Sequence, residues 1–324
     1  MRDETMLSES FDAYLNNARW FQYGSHKIAY WDSGAPVAHH FSAPDSSPSN
    51  ADLSLIHSQS IDKQPPILFL HGFPSASWDW HHQWAHFIKS HRCIAFDMLG
   101  FGISDKPTKY KYSVLEQAKI AIYLCQKLKI SRLHIVAHDY GVSVAQQLLS
   151  LQNSESASVD IESLCFLNGG LFAELHRPLL TQKLLHSVLG PLLVKCMNKG
   201  SLRRSFGKIF GPETPPSQAD IDTIWRLLEF KNGMAVLPKL LDYLDERVLH
   251  RDRWVASMQS TSTPLGFING VFDPISGEHM LAQFNALLPD AASIGINVGH
   301  YPQLEAPRRV SDLIANFINS KGFA

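Results

Sequence analysis

Short apolar runs alternate with helical patterns along most of the chain. Each run is bounded by turn residues and rich in β-branched or aromatic side chains, the pattern of a strand buried on both faces. The runs fall in the segments 65–74, 91–99, 132–141, 161–170, 263–274 and 292–300. Amphipathic helical patterns follow several of them, for example at 113–128 and 307–319. This alternation predicts an α/β fold with a doubly wound, mostly parallel sheet.

Three segments interrupt this rhythm. Residues 19–34 alternate around a Gly-Ser turn, which predicts a hairpin, and residues 35–64 are too rich in Ser, Pro, Ala and Asp to be core. Residues 171–245 carry helical patterns without a good strand, which predicts a helical cap over the carboxyl ends of the strands. We therefore expect a core of residues 1–170 with a surface insertion at 35–64, the cap, and a second core part at 246–324.

Helix start signals support this division. Ser113 and Glu116 have the spacing of a capping box, as have Ser217 and Asp220 behind a proline-rich stretch. In a capping box the two side chains satisfy each other's free backbone N–H groups. We therefore expect one helix to start at each serine.

Composition and charge narrow the classes of protein. The chain has 324 residues, 45% of them apolar, and a net charge of −1, so it lacks the basic surface of a nucleic-acid-binding protein. The amino terminus is acidic where a signal peptide is basic, and no stretch approaches the ~20 apolar residues of a membrane span. These features predict a cytoplasmic protein that binds neither nucleic acid nor membrane.

Cofactor and metal signals are weak throughout. The four cysteines, none of them in a C-x-x-C pair, are expected to be small buried hydrophobes: Cys93, Cys125, Cys165 and Cys196. The histidines of segment 35–64 lack a known ligand spacing, and no phosphate loop or dinucleotide fingerprint occurs. We expect no cofactor and no metal.

Candidate catalytic groups follow three of the apolar runs. In chain order they are Asp139, Asp273 and His300, the order of nucleophile, acid and histidine in an α/β hydrolase. Ala137 and Gly141 flank Asp139 with small residues two positions away on each side, as a sharp strand-to-helix elbow requires. Asp139 could instead only cap the following helix, and Asp273 could only form a turn before its proline.

Several motifs together resemble one family. The motifs HGFP at 71–74, GFGISDKP at 100–107, HDYG at 138–141 and GH at 299–300 resemble the epoxide hydrolase and haloalkane dehalogenase branch of the α/β-hydrolase superfamily. FLNGGLF, HRPLL, FGP, RWV and HYPQLE are more specifically similar to the mesoderm-specific transcript proteins and related hydrolases. The resemblance runs from about residue 67 to 307. It implies an α/β-hydrolase fold with an inserted helical cap.

An aspartate at the elbow suits substitution at a saturated carbon. A carboxylate that attacks such a carbon forms an ester, which water can reopen, whereas a serine would form a stable ether. Asp139 is accordingly the expected nucleophile, His300 the base that activates water, and Asp273 the carboxylate that orients His300. The backbone N–H groups of Phe73 and Tyr140 are expected to bind the oxyanion.

Haloalkane dehalogenation and epoxide hydrolysis differ in the leaving group that the enzyme must stabilise. Haloalkane dehalogenases hold the halide with a tryptophan after the nucleophile and a second donor, and here Tyr140 and Phe73 occupy those places. Epoxide hydrolases protonate the ring oxygen, usually with two cap tyrosines, and Tyr243 could act there with His176 or His186. Tyr243 also has helical spacing with Leu240 and Leu244, which favours core packing slightly over a catalytic role.

Epoxide hydrolysis is therefore the preferred reaction, with haloalkane dehalogenation as the alternative. A small hydrophobic organic molecule and water would be the substrates, and Tyr243, His176 and Trp225 the candidate substrate-binding residues. A third interpretation assigns the protein to a non-enzymatic class, a sensor that binds a small molecule without turnover. A pure binder has no physical need for Asp139, Asp273 and His300 together.

Overall fold

The computed structural model describes residue 7 and residues 10–34, 64–154 and 159–323. Apart from residue 64, the insertion predicted at 35–64 lies outside the described residues. The core of the described part is one eight-stranded sheet with the order β1-β2-β4-β3-β5-β6-β7-β8. Its strands are β1 (Arg19–Tyr23), β2 (His26–Asp32), β3 (Ile67–Leu70), β4 (Cys93–Phe96), β5 (Arg132–Ala137), β6 (Asp160–Phe166), β7 (Leu265–Gly270) and β8 (Ala292–Ile296).

Helices account for most of the remaining described chain. They are α1 (Phe11–Asn16), α2 (His81–Phe87), α3 (Val114–Lys127), α4 (Tyr140–Asn153), α5 (Leu180–Leu185), α6 (Gly190–Leu193), α7 (Lys199–Phe206), α8 (Gln218–Glu229), α9 (Leu237–Leu240), α10 (Tyr243–Ser260), α11 (Glu278–Leu287), α12 (Pro302–Glu305) and α13 (Pro307–Ser320). Short 3₁₀ turns occur at Ser77–Trp80, Ala173–Leu175, Val194–Cys196 and Phe230–Val236. No helix among the described residues combines the length and apolar character needed to cross a membrane.

The strand pairing confirms the predicted α/β architecture. β1 and β2 form the expected antiparallel hairpin, and β2 also pairs antiparallel with β4. All other neighbouring strands are parallel. Every residue of β3, β4 and β7 is buried, which is why these segments are continuously apolar instead of alternating.

The two predicted capping boxes have different outcomes. At α8, Ser217 and Asp220 form the reciprocal pair, so that prediction is confirmed. At α3, Ser113 Oγ accepts from Leu115 N, but the partner predicted at Glu116 is wrong. Glu246, from a distant part of the chain, contacts this helix start instead, because its carboxylate accepts from Val114 N at 2.6 Å. A local sequence pattern could not anticipate this long-range contact.

All described elements between β6 and β7 are helical. The last of them, α10, packs against α4, the helix that follows β5. We propose from this helical stretch that residues 171–245 form a cap domain between two core parts, 1–170 and 246–324. The boundary at 245 lies inside α10, so this helix belongs to both parts and joins the cap to the core.

Candidate active site

Asp139 occupies a strained turn between β5 and α4. Its backbone angles are φ 45° and ψ −103°, a sparsely populated region for a residue with a side chain, which costs about 1–3 kcal/mol. The turn is also tight, because a Cβ atom on Gly141 would lie 2.5 Å from the Leu70 carbonyl oxygen. The small residue expected at 141 is therefore a steric requirement of the elbow.

The carboxylate of Asp139 is held by the loop that follows β3. Oδ2 accepts a hydrogen bond from Phe73 N at 3.0 Å, and the residue is 2% exposed. Tyr140 begins α4, so its N–H has no acceptor within the helix. Burial alone would raise the pKa of Asp139, but the positive charges of His300 and Arg247 outweigh burial and lower this pKa. The side chain is therefore ionised.

His300 and Asp273 form a buried pair. Nδ1 of His300 lies 2.7 Å from Oδ2 of Asp273. Asp273 also accepts from Ile275 N at 2.8 Å and from the Ser276 hydroxyl at 2.6 Å. Burial would raise the pKa of Asp273, but His300 and these hydrogen bonds hold the pKa far below its ordinary value. An ionised carboxylate only accepts, so Nδ1 of His300 carries a proton.

The charge state of His300 depends on both aspartates. Burial lowers the pKa of His300, whereas Asp273 and then Asp139 raise it, and the net shift is upward. The two carboxylates thus act on one imidazole from the ends of different strands. The structure therefore brings together the three residues that the sequence placed at strand ends.

Asn168 connects the strands that carry this site. It follows β6, donates to Asp273 Oδ2 at 3.0 Å and to the Gly270 carbonyl at 3.0 Å, and accepts from Gly270 N at 2.6 Å. Its amide thus fixes the end of β7, from which Asp273 follows. The two neighbouring histidines brace loops in the same way: His138 Nε2 lies 2.8 Å from the His300 carbonyl oxygen, and His71 Nε2 accepts from Met98 N at 3.1 Å.

Arg247 is a site residue that the sequence reasoning missed. It lies on α10, is 2% exposed, and donates to the Asp139 carbonyl oxygen at 2.8 Å and to Ser143 Oγ at 2.7 Å. Its Nη2 also lies 3.5 Å from Asp139 Oδ1. The available signal was its position one helical turn after Tyr243, which places both residues on one face of a helix.

Tyr243 and His176 lie on either side of Arg247. The Arg247 guanidinium stacks over the Tyr243 ring at 4.4 Å, and its Nη1 lies 3.3 Å from His176 Nδ1. The Tyr243 hydroxyl and His176 Nε2 are buried and form no hydrogen bond of ordinary geometry with described residues. Burial and the Asp139 charge raise the pKa of Tyr243, and burial with the Arg247 charge lowers the pKa of His176 to about 3. Both groups are therefore neutral.

A largely apolar cavity of about 240 Å³ reaches the site through His300 and Phe73. Its other lining comes mostly from the helical segment, including Leu185, Leu193, Phe206 and Ile209. The described lining residues include neither Asp139 nor any of the expected substrate-binding residues Tyr243, His176 and Trp225. Tyr243 and His176 instead contact Arg247, which donates to the Asp139 carbonyl oxygen.

Trp225 and Cys196 have different relations to this cavity. Trp225 is half-buried on α8 and packs against the hydrophobic core instead of lining the cavity. Cys196 was expected to be buried like the other cysteines, and that expectation is wrong. It is exposed and lines the cavity, whereas Cys93, Cys125 and Cys165 are buried in the core.

Comparison with known proteins identifies the family and the fold of the chain. A family model described as "alpha/beta hydrolase fold" matches residues 65–160. Mesoderm-specific transcript protein of Mus musculus is 36% identical over 323 residues, covering 97% of this chain and 89% of that protein. The putative hydrolase LipZ of Mycobacterium tuberculosis is 34% identical over 249 residues, covering 76% of this chain and 86% of that protein.

Solved structures show the same fold at low identity. A haloalkane dehalogenase variant from Bradyrhizobium elkanii superposes with a TM-score of 0.72 at 18% identity, covering 94% of this chain and 97% of that chain. The epoxide hydrolase CorEH superposes with a TM-score of 0.68 at 16% identity, covering 93% of this chain and 98% of that chain. The chain belongs to the α/β-hydrolase superfamily and, within it, to the family of the mesoderm-specific transcript protein.

Proposed function

We propose that the protein is a cofactor-independent, epoxide hydrolase-like enzyme that forms a covalent ester on Asp139. The observation that carries this proposal is an ionised carboxylate at the elbow whose Oδ2 accepts from Phe73 N at 3.0 Å. The buried pair of His300 and Asp273 lies beside it. The apolar lining of the cavity favours a small hydrophobic epoxide as substrate.

In the first step, Asp139 opens the epoxide. Oδ1 attacks a ring carbon, the bond between that carbon and the ring oxygen breaks, and an ester forms. Oδ2, which Phe73 N–H holds, becomes the carbonyl oxygen of the ester. The ring oxygen stays bonded to the second ring carbon and takes the hydroxyl proton of Tyr243 as its other bond breaks, because a free alkoxide is too basic a leaving group. Tyr243 thereby becomes a tyrosinate.

In the second step, water reopens the ester. His300 Nε2 takes a proton from water as the oxygen attacks the Asp139 carboxyl carbon. The negative charge then develops on Oδ2, between the N–H groups of Phe73 and Tyr140. Collapse of this intermediate returns the proton from His300 to the departing alcohol. The carboxylic acid that remains loses its proton, which restores the Tyr243 hydroxyl, and the product is a diol.

Alkylation also changes the charge around His300. The free carboxylate of Asp139 helps to raise the pKa of His300. Ester formation removes that negative charge, so the pKa of His300 falls and the neutral imidazole becomes the favoured form. The first step thereby prepares the base that the second step needs.

Two alternatives predict different chemistry. A haloalkane dehalogenase would release halide from bromoalkanes, and a protein that binds without turnover would show ligand-dependent stabilisation but no product. The Phe73 side chain has no hydrogen-bond donor, and Tyr140 lacks the indole N–H that holds a departing halide from its position. The buried Tyr243 hydroxyl instead suits an oxygen leaving group.

An isotope experiment tests the proposal against direct hydrolysis. Excess enzyme is mixed with one equivalent of a styrene-type epoxide in H₂¹⁸O for a single turnover. We expect ¹⁸O in Asp139, found by peptide mass spectrometry, and a diol without ¹⁸O, because the first diol takes its new oxygen from the carboxylate. Label in the diol and none in Asp139 would rule out the ester route. Asp139→Asn protein, treated in the same way, controls for background exchange.

A further inference from the structure

Arg247 has contacts that the two-step mechanism does not use. From α10 it reaches the elbow carbonyl of Asp139 at 2.8 Å and Ser143 of α4 at 2.7 Å. Its remaining nitrogen, Nη1, lies 3.3 Å from Nδ1 of His176, which follows the 3₁₀ turn Ala173–Leu175. Arg247 is 2% exposed, and its guanidinium contacts three separate segments of the chain. Such a buried, fully directed charge is held in a fixed position in the site.

The contact with His176 determines where that imidazole carries its proton. Arginine only donates hydrogen bonds, so Nδ1 of His176 must accept. A neutral imidazole has one N–H and one acceptor nitrogen, and its proton is therefore on Nε2. That Nε2 atom is buried without a hydrogen-bond partner among the described residues, and Asp139, Asp273 and His300 all influence His176 electrostatically. An unused donor thus lies close to the candidate nucleophile.

We propose that Arg247 is a positioning residue that holds His176 in the tautomer with an Nε2–H, which donates a hydrogen bond to the oxygen of the opening ring. This proposal rests on the proposed epoxide chemistry and names its second donor. Tyr243 supplies the proton, and His176 stabilises the developing alkoxide without changing its own protonation. The Arg247 charge polarises the imidazole from the Nδ1 side, which strengthens the Nε2–H as a donor.

Gly170 makes room for this contact. A Cβ atom at residue 170 would lie 2.5 Å from Arg247 Nη1 and 3.0 Å from His176 Nδ1. Any side chain there would therefore push the arginine and the histidine apart. The short NGG stretch at 168–170 thus supports the site in two ways. Asn168 holds the Asp273 carboxylate by a hydrogen bond, and Gly170 leaves space for the contact between Arg247 and His176.

The first test measures the tautomer and does not need a substrate. Full-length protein with ¹⁵N-labelled histidine is studied by NMR, and His176→Phe assigns the signals. We expect an acceptor-type shift at Nδ1 and a protonated Nε2 in the wild type, and a mixture of tautomers in Arg247→Met. Gly170→Ala perturbs the same contact and retains the arginine, so it covers the case in which Arg247→Met does not fold. A protonated Nδ1 in the wild type, or the same tautomer in both variants, would overturn the proposal.

The second test is a double-mutant cycle on epoxide opening. His176→Phe should lower kcat by about 10²-fold, the loss of one hydrogen bond to a developing oxyanion. Arg247→Lys, which keeps the charge but loses the fork, should lower kcat in the wild-type background and far less in the His176→Phe background. Equal effects in both backgrounds would show that Arg247 does not act through His176. If no epoxide is turned over, the proposed function fails, whereas the tautomer measurement still decides the role of Arg247.

Discussion

Nδ1 of His300 lies 2.7 Å from Oδ2 of Asp273, and both side chains are at most 3% exposed. This contact fixes Nδ1 as a donor, so Nε2 is the nitrogen that can accept a proton from water in the proposed second step, once the imidazole is neutral. The same imidazole lies within the electrostatic influence of Asp139, so its pKa depends on the charge of that carboxylate.

Replacing Asp139 should therefore lower the pKa of His300. The pKa of His300 is raised in the free enzyme, and Asp139→Asn removes one of the negative charges that stabilise the imidazolium. We expect an NMR titration to show a lower pKa for His300 in Asp139→Asn than in the wild type. Asp252→Asn makes the same charge change at a side chain that is 95% exposed and should leave the titration unchanged. An unaltered His300 pKa in Asp139→Asn would show that the Asp139 charge does not act on His300.

Removing the Tyr243 hydroxyl should slow ring opening. Tyr243→Phe keeps the aromatic face on which Arg247 stacks but loses the acid, so kcat for an epoxide should fall by about 10²–10⁴-fold. Stopped-flow measurement of ester formation should locate the loss in the first step. Tyr123→Phe, at an exposed tyrosine, is the matched control. A Tyr243→Phe enzyme with wild-type kinetics would remove Tyr243 from the mechanism.

Modification of Cys196 should block the cavity. This cysteine is exposed and lines the cavity, whereas the other cysteines are buried. A bulky maleimide should therefore react first at Cys196 and abolish turnover of large epoxides. Cys196→Ser protein should keep its activity after the same treatment. Full activity after stoichiometric labelling of Cys196 would mean that substrate enters by another route.

Asn168→Ala should destabilise the protein as well as the site. The substitution leaves Gly270 N and one hydrogen-bond site of Asp273 without a partner, and each buried unsatisfied group costs about 1–3 kcal/mol. Urea denaturation should show this loss in the free energy of unfolding. Asn319→Ala, at an exposed position of α13, should have little effect. Equal stability of the two variants would argue against the bracing role.

The positions of site residues could be predicted from the sequence where a strand or helix pattern lies directly beside them. The elbow around Asp139 was visible because a strand pattern, small flanking residues and a helix pattern adjoin one another, and the order of Asp273 and His300 followed from their strand ends. The parallel core of the sheet followed from continuous apolar runs, since buried strands need no polar face.

Contacts between distant segments could not be predicted in the same way. Arg247 looks like one charge among many on α10, and only the packing of α10 against α4 brings it to Asp139. Glu246 contacts the start of α3 for the same reason.

The most direct test of the central claim is trapping of the ester. His300→Gln protein, which lacks the base but keeps Asp139, is incubated with a panel of aryl and alkyl epoxides and examined by intact and peptide mass spectrometry. We expect an added mass equal to that of the intact epoxide, located on Asp139 and absent from the double variant that also carries Asp139→Asn. No adduct with any epoxide, or an adduct on another residue, would show that Asp139 does not form the proposed ester.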